Sequence, residues 1–213
     1  MKIFYKLATV ALFSSIMIAC GGEAKKEKTA ATEEKAEETT EVKSEPQKLD
    51  IIAGESKVNW SGSVIGVYEH SGTVDVKEGY LTVNNGQITE GVFVADLTTM
   101  VATDDNSNPE EGKSADKLIE HLSSGDFFQV DSFPEATFVV KSHNAEAKTL
   151  TGELTIRGNT NEETVENVMI NMEEGTASGE LVVDRKEYDV AFTHPAKDVV
   201  IKDEMNLSVM LKM

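Results

Sequence analysis

The residue types that usually perform catalysis stand apart from one another in this chain. The four histidines are His70, His121, His143 and His194. No two of them have the spacing of a zinc-binding helix motif. The serine of Gly62-Ser63-Val64-Ile65-Gly66 lies one position too early for the nucleophile elbow of a hydrolase. We therefore expect no catalytic residues and predict that the protein is not an enzyme.

The acidic run that starts at Asp104 resembles the beginning of a calcium-binding loop, with Asp104, Asn106 and Asn108 at its first, third and fifth positions. Pro109 stands where the turn of such a loop requires glycine, and Ala115 stands where it requires glutamate. We therefore expect a solvated loop at this place. The sequence predicts neither a metal site nor a cofactor.

Cys20 is the one residue whose surroundings indicate a covalent modification. It follows an apolar stretch, residues 7–19, that is too short for a committed transmembrane helix. The run Met17-Ile18-Ala19-Cys20-Gly21 resembles the lipobox of bacterial lipoproteins. We predict that residues 1–19 are a lipoprotein signal peptide and that Cys20 is lipidated. The alternative is a free thiol after an ordinary secretion signal.

Lipidation would hold the protein at the bacterial cell envelope, because several acyl chains form a durable membrane anchor. Gly21 does not resemble the aspartate that retains lipoproteins in the inner membrane. This favours the outer membrane and leaves its periplasmic and surface faces open. Residues 20–48 contain almost only Glu, Lys, Ala and Thr and cannot bury enough surface to fold. We predict a disordered, charged tether that spans about 30 Å.

The chain is strongly acidic, with a formal net charge of −18. Residues 1–19 contain Lys2 and Lys6 and no acid, so their removal changes the charge to −20. A surface this negative repels phosphates and anionic headgroups. We therefore predict no nucleic-acid partner.

Aromatic residues concentrate in one short stretch. Four of the eight phenylalanines lie within residues 126–138, which marks a place where an apolar interior is built or lined. A helix is predicted immediately before it, over residues 114–124, with Ser114 as the N-cap and Gly125 as the C-terminal stop. Its apolar stripe has helical spacing and consists of Ala115, Leu118, Ile119 and Leu122.

Residues 49–213 have the length of one domain and show period-two alternation, which is typical of β-strands. Asn84-Asn85-Gly86 favours a tight hairpin, while Lys77-Glu78-Gly79 and Glu173-Glu174-Gly175 are weaker turn signals. Many short strands joined by hairpins indicate an antiparallel sheet, and closure removes its exposed edges. We predict an all-β barrel with one short helix.

Three runs in this order resemble the YceI family across residues 49–213. They start at His121, Phe133 and Leu150, and read HLSSGDFF, FPEATF and LTGELTIRGNT. Ser56-Lys57-Val58-Asn59-Trp60 and His70-Ser71-Gly72 match as well. The resemblance implies a lipocalin-like antiparallel barrel of about eight strands. It also implies non-catalytic binding, storage or transport of an amphiphilic isoprenoid-like or other long-chain lipid in the barrel lumen.

A lumen that holds such a lipid needs an apolar wall and a few polar groups at its mouth. We predict His70 as a headgroup contact. The predicted wall residues are Trp60, Phe93, Leu97, Phe127, Phe128, Phe138, Leu154, Ile156 and Met169. Each of them can alternatively pack the barrel against its helix, and His70 can be a structural hydrogen-bonding residue. Arg157 is expected to form an ion pair with a nearby carboxylate.

A second hypothesis starts from the acidity of the chain. It describes an envelope interaction or stress protein whose barrel is fully packed and whose surface docks a basic partner or binds cations. The sequence leaves open whether the lumen is open or packed. It also leaves open a homodimer.

Overall fold

The computed structural model describes residues 45–106, 114–196 and 199–213. The predicted signal peptide, Cys20 and most of the predicted tether lie outside these residues, as does the second half of the acidic run. Gln47 and Lys48, which the sequence placed at the end of the tether, belong to the first strand.

Nine strands and one α-helix form the described domain. In chain order they are β1 (Gln47–Asp50), β2 (Lys57–Val64), β3 (Tyr68–Asn84), β4 (Gln87–Ala102), α1 (Ala115–Ser123), β5 (Glu135–Asn144), β6 (Thr149–Ile156), β7 (Asn159–Asn171), β8 (Thr176–Asp184) and β9 (Ile201–Lys212). Two 3₁₀ turns, Ala53–Glu55 and Arg185–Tyr188, precede β2 and follow β8.

Strands β2 to β9 close into an eight-stranded antiparallel barrel, which confirms the predicted fold. Each strand pairs with the next along the chain, and β2 pairs with β9, so that Lys57 lies opposite Met210. The short β1 pairs with the second half of β3, with Gln47 opposite Val83. Closure satisfies the edge hydrogen bonds that an open sheet would expose to solvent.

The two ends of the barrel differ in their connections. Tight turns follow β3, β5 and β7 at one end, which we call the turn end. The connections after β2, β4, β6 and β8 meet at the other end, where β4–β5 and β8–β9 are long. We call it the α1 end because the β4–β5 connection contains α1. At the turn end, Asn85 (φ +50°) and Gly86 (φ +75°) form the predicted β3–β4 hairpin, since primed turns need positive φ at both positions.

The weaker turn signal Lys77-Glu78-Gly79 is wrong, because these residues lie inside β3. They form a bulge against β4, between Val76 and Glu78. Buried residues alternate at even positions up to Val76 and at odd positions from Leu81. The extra residue therefore bends a long strand while keeping its apolar side chains inside.

Helix α1 begins as predicted and ends slightly differently. Ser114 caps it, and its Oγ accepts a hydrogen bond from the Lys117 N–H at 3.3 Å. At the other end, Ser124 donates from its N–H and Oγ to the carbonyl of His121. Ser124 is the C-cap at the end of the predicted segment, and its hydroxyl supplies a missing hydrogen bond. Gly125 follows it without the positive φ of a glycine cap. No helix in residues 45–106, 114–196 and 199–213 is long and apolar enough to cross a membrane.

Candidate functional site

The barrel encloses a cavity of about 320 Å³. Side chains from α1 and from strands β2 to β9 line it. This volume falls at the lower end of the roughly 300–1,000 Å³ found for small-molecule sites. All of the polar side chains that line it belong to the half near α1, apart from Ser178. The cavity is therefore amphiphilic, with an apolar interior and a polar mouth at the α1 end.

Nine of the ten predicted site residues line this cavity. They are Trp60, His70, Phe93, Leu97, Phe127, Phe128, Phe138, Leu154 and Ile156. For the apolar residues on strands, period-two alternation explains this outcome, because inward-facing positions of a closed barrel must be apolar. Phe127 and Phe128 lie in the turn after α1, and their signal is the concentration of aromatic residues. Their contact with a ligand stays a prediction.

Met169 does not line the cavity, and its prediction is wrong. It faces outward from β7 with 61% of its surface exposed. The cause is a bulge in β7 between Glu166 and Met169, where Asn167 has a φ of +54°. The bulge inserts an extra residue and reverses the alternation, so Val168 and not Met169 follows Val165 into the interior.

The lumen is open along part of its length. Phe93, Ala136 and Leu207 point inward from three different strands, yet each is only half-buried. An inward side chain keeps accessible surface only where it faces empty space. Interiors that are filled by side chains leave few voids larger than a water molecule, so this barrel is not a fully packed one.

Gly152 on β6 creates room for a pair of phenylalanines in the wall. A Cβ atom at Gly152 would lie 2.4 Å from the ring of Phe138, so the ring rests directly on the backbone of β6. Phe138 in turn stacks on Phe93, with ring centroids 6.3 Å apart. The glycine thus allows two phenylalanines to lie flat along the wall, where a larger residue would force them into the lumen.

Trp60 has a similar relation to Gly72 at the α1 end. A Cβ atom at Gly72 would lie 2.5 Å from the indole ring, so the ring covers this glycine. The Nε1 atom of Trp60 is buried and has no hydrogen-bond partner among the described residues. Burial of an unpaired donor destabilises the folded state, so this position of the wall is not optimised for stability alone.

His70 lies at the mouth and pairs with an acid of the β4–β5 connection. Its Nδ1 is 3.2 Å from both carboxylate oxygens of Asp104, and the Ser71 N–H donates to Asp104 at 3.0 Å. Burial would raise the pKa of Asp104, but hydrogen bonds from the N–H groups of Ser71 and Asn106 and from His70 outweigh it. They lower the pKa to about 2. Asp104 therefore stays ionised and holds His70 at the rim.

A family model described as a YceI-like domain matches residues 49–213. This chain belongs to the YceI-like family. The match covers every barrel strand and α1, so the resemblance predicted from the sequence is confirmed.

Two kinds of relative were found for this YceI-like chain. The UPF0312 protein of Staphylococcus aureus (strain USA300) is 59% identical over 44 residues, which are 21% of this chain and 25% of that protein. The match therefore spans only a quarter of the relative's length. The crystal structure of Burkholderia cenocepacia BcnA has a TM-score of 0.55 at 20% identity, covering 76% of this chain and 98% of that one. It supports the barrel fold.

A further solved structure is a polyisoprenoid binding domain from Saccharophagus degradans implicated in plant cell wall breakdown. It has a TM-score of 0.48 at 12% identity, and the alignment covers 78% of this chain and 97% of that one.

Three rings pack together at the mouth of the YceI-like barrel. His121 of α1 lies edge-on to Phe127 and to Phe192, with centroids 5.0 and 4.7 Å away, and the two phenylalanine rings are 5.2 Å apart. Phe127 is buried in this cluster, whereas Phe128 stays half-buried. Sequence reasoning missed Phe192, because the β8–β9 loop has no periodicity to show which residues point inward.

Arg157 fixes the segment that follows α1. Its guanidinium donates to the carbonyls of Phe127 (2.6 Å), Asp189 (2.7 Å) and Gly125 (3.0 Å). The prediction of an ion pair with a carboxylate is wrong, since the recorded partners are backbone carbonyls and the amide of Gln129. The planar fork of arginine suits several acceptors at once, which explains why the aromatic stretch keeps one position over the lumen.

Arg185 fixes the β8–β9 loop by donating hydrogen bonds to backbone carbonyls. The sequence did not indicate it as a site residue. It is buried, and it donates to the carbonyls of Val190 (2.6 Å), Lys202 (3.0 Å) and Phe192 (3.2 Å) and to the carboxylate of Asp203 (3.2 Å). Its signal in the sequence is rarity, because the chain has only two arginines. Both arginines hold the loops of the mouth.

Within the part of the chain that the structure describes, no group of three or more His, Cys, Asp or Glu residues is placed to hold a metal ion. The histidines are divided between the two ends of the barrel. His143 lies at the turn end, where its Nδ1 accepts a hydrogen bond from the Ile88 N–H at 3.0 Å. Partial burial lowers the pKa of His143, which favours the neutral ring that this hydrogen bond requires.

Proposed function

We propose that this protein binds an amphiphilic long-chain lipid, isoprenoid-like or similar, and stores or carries it at the bacterial envelope without catalysis. The observation that carries the proposal is the cavity of about 320 Å³, apolar inside and polar at the α1 end. A lipid tail would lie along Phe93, Phe138 and Leu154, and its head would meet His70 and His121 at the mouth. Each buried methylene contributes about 0.8 kcal/mol to such binding.

The open lumen favours this function over the second hypothesis of a packed barrel. A protein that acts only through its surface does not need an open lumen, yet Phe93, Ala136 and Leu207 line one and are only half-buried. Empty apolar space costs stability because the lining side chains lose contacts. Occupation by an apolar chain would restore those contacts.

The test is extraction of the purified full chain with organic solvent, followed by mass spectrometry. We expect a long-chain lipid at a fixed ratio to protein in the wild type. Ala136→Phe adds a ring inside the lumen and should reduce the retained lipid at least tenfold. Val139→Phe adds the same ring to the outer face of β5 and is the matched control. Absence of lipid from the wild type, or equal retention in both variants, would refute the proposal.

The anchor is proposed on sequence grounds. We infer that Cys20 carries acyl chains and that residues 1–19 are removed, which would hold the protein at the outer membrane. Growth with a labelled fatty acid should mark the wild type, while Cys20→Ala should remain unlabelled. A label that persists in Cys20→Ala would contradict the anchor and leave the lumen proposal untouched.

A further inference from the structure

The mouth of the barrel carries a group of exposed apolar side chains, which we call the apolar tip. It consists of Ile65, Val67, Tyr68 and Val200. Val67 is 61% exposed, as much as Met169 on the outer face of β7. Residues 64–68 contain no charge in a chain of which 27% is charged.

Two segments build the apolar tip and hold it as one surface. The β2–β3 hairpin turns at Gly66 (φ +71°), and the Val67 N–H donates to the carbonyl of Val64 at 3.1 Å. The Ile65 N–H donates to the carbonyl of Val200 at 2.8 Å, which fixes the end of the β8–β9 loop beside the hairpin. The exposed side chains therefore share one position at the rim.

The apolar tip is continuous with the lumen. Val64, Tyr68 and Ile201 line the cavity, and they alternate in sequence with the exposed Ile65, Val67 and Val200. An apolar surface thus runs from the interior over the rim to the outside. Tyr68 belongs to both parts, since it lines the cavity and remains exposed.

We propose that the apolar tip inserts into the interface of a zwitterionic lipid bilayer, so that the mouth opens onto the membrane. This inference rests on the proposed function, because its purpose is to let a lipid tail pass between bilayer and lumen without crossing water. Tyrosine is enriched at membrane interfaces, where its apolar ring and polar hydroxyl meet both media. A lipid surface is therefore the partner that suits this rim.

A second copy of the chain fits the apolar tip less well. A stable interface between proteins buries roughly 800 Å² on each partner, contributed by about 20–30 residues. The apolar tip offers only four side chains. Two copies with a formal charge of −18 each also repel one another. The same charge argues for zwitterionic over anionic headgroups, because the exposed Glu69 directly follows Tyr68 of the tip.

The length of the chain before the barrel allows this orientation for an anchored protein. β1 enters at the turn end, since Gln47 pairs with Val83. Residues 20–46 would reach about 90 Å if fully extended. The longest strand, β3, has 17 residues and spans at most about 56 Å. A chain anchored at Cys20 can therefore turn its mouth towards the membrane that holds it.

The test uses the full chain with Cys20→Ala, so that acylation cannot supply the membrane contact. Val67→Cys in this background places a single thiol in the apolar tip for an environment-sensitive fluorophore. Ala145→Cys places the same dye at the turn end. With phosphatidylcholine vesicles we expect a blue shift and quenching by bilayer-embedded quenchers at position 67, and no response at position 145.

A paired substitution measures the contribution of the apolar tip. Ile65→Ser with Val67→Ser should weaken vesicle binding about tenfold or more and slow lipid transfer to vesicles by the same factor. Val182→Ser, on the outer face of β8 with 58% exposure, is the matched control and should change neither. Addition of phosphatidylglycerol to the vesicles should reduce binding.

Failure of the docking proposal differs from failure of the proposed function. If the wild type retains lipid but the dye at position 67 does not respond and the serine variant transfers lipid normally, docking is refuted and lipid binding stands. If the serine variant abolishes a dimer seen without vesicles, the surface belongs to a second copy and docking is also refuted. If the wild type retains no lipid, the proposed function itself fails.

Discussion

The turn end and the α1 end of the barrel differ in how they are stabilised and in whether they close the lumen. At the turn end, short hairpins and buried aliphatic side chains such as Leu81, Val83 and Ile88 close the interior. At the α1 end, long connections are held open by two arginines that donate to backbone carbonyls. The turn end thus depends on packed aliphatic side chains, whereas the α1 end depends on hydrogen bonds to loop carbonyls and keeps half-buried rings around an accessible lumen.

The largest expected effect tests the turn end. Val83 is 5% exposed and does not line the cavity, so Val83→Ala should lower the free energy of unfolding by about 2–3 kcal/mol through the lost methyl groups and the void that they leave. Denaturant titration followed by tryptophan fluorescence measures this change. Lipid retained per folded molecule should stay close to that of the wild type. A large loss of retention at unchanged stability would show that the two ends are not separate.

Arg157→Lys tests the mouth with a smaller effect. A lysine cannot donate to the carbonyls of Phe127, Asp189 and Gly125 together. We expect a loss of about 1–2 kcal/mol in the free energy of unfolding. Hydrogen exchange should accelerate at residues 124–130 and remain unchanged around Asn85. Uniform acceleration over the whole barrel would contradict a local role.

Acid should loosen the mouth through Asp104, whose pKa lies at about 2, below its ordinary value of 3.8. A lowered pKa adds stability that is complete above the ordinary value and is lost as the pH falls through the folded value. The stability difference between wild type and Asp104→Asn should therefore be constant from pH 7 to 5 and shrink between pH 4 and about 2. Thermal melts across this range measure it. A difference that grows towards low pH would rule out this assignment.

The smallest effect is expected far from both ends. Lys57 and Asp75 form an ion pair at 2.7 Å, with about half of each side chain exposed. Exposed pairs of this kind contribute roughly 0–1 kcal/mol. Lys57→Ala should therefore change neither the unfolding free energy by more than about 0.5 kcal/mol nor lipid retention. A larger change would show that the barrel wall between the two ends depends on this ion pair for its stability.

Local patterns were sufficient for much of the fold. The Asn85-Gly86 hairpin and the Ser114 cap depend on neighbouring residues alone, so the sequence predicts them. The bulges in β3 and β7 depend on how a closed barrel must bend. For this reason the sequence wrongly predicts a turn at Gly79 and a wall position at Met169.

The mouth was less predictable than the wall for a related reason. Phe192, Arg185 and the acceptors of Arg157 lie in loops whose positions are set by contacts between segments far apart in sequence. No periodicity reports such contacts. The apolar wall, by contrast, repeats every second residue and can be read from each strand separately.

The pairing of β2 with β9 has a consequence for how this chain is made. Lys57 meets Met210 across a separation of most of the domain, so the ring of strands cannot close until the final strand has left the ribosome. Structures dominated by such distant pairings form slowly. Until then, the apolar inner faces lack the contacts that closure supplies. A message truncated before residue 201 would yield a polypeptide with two unpaired edges and a strong tendency to aggregate.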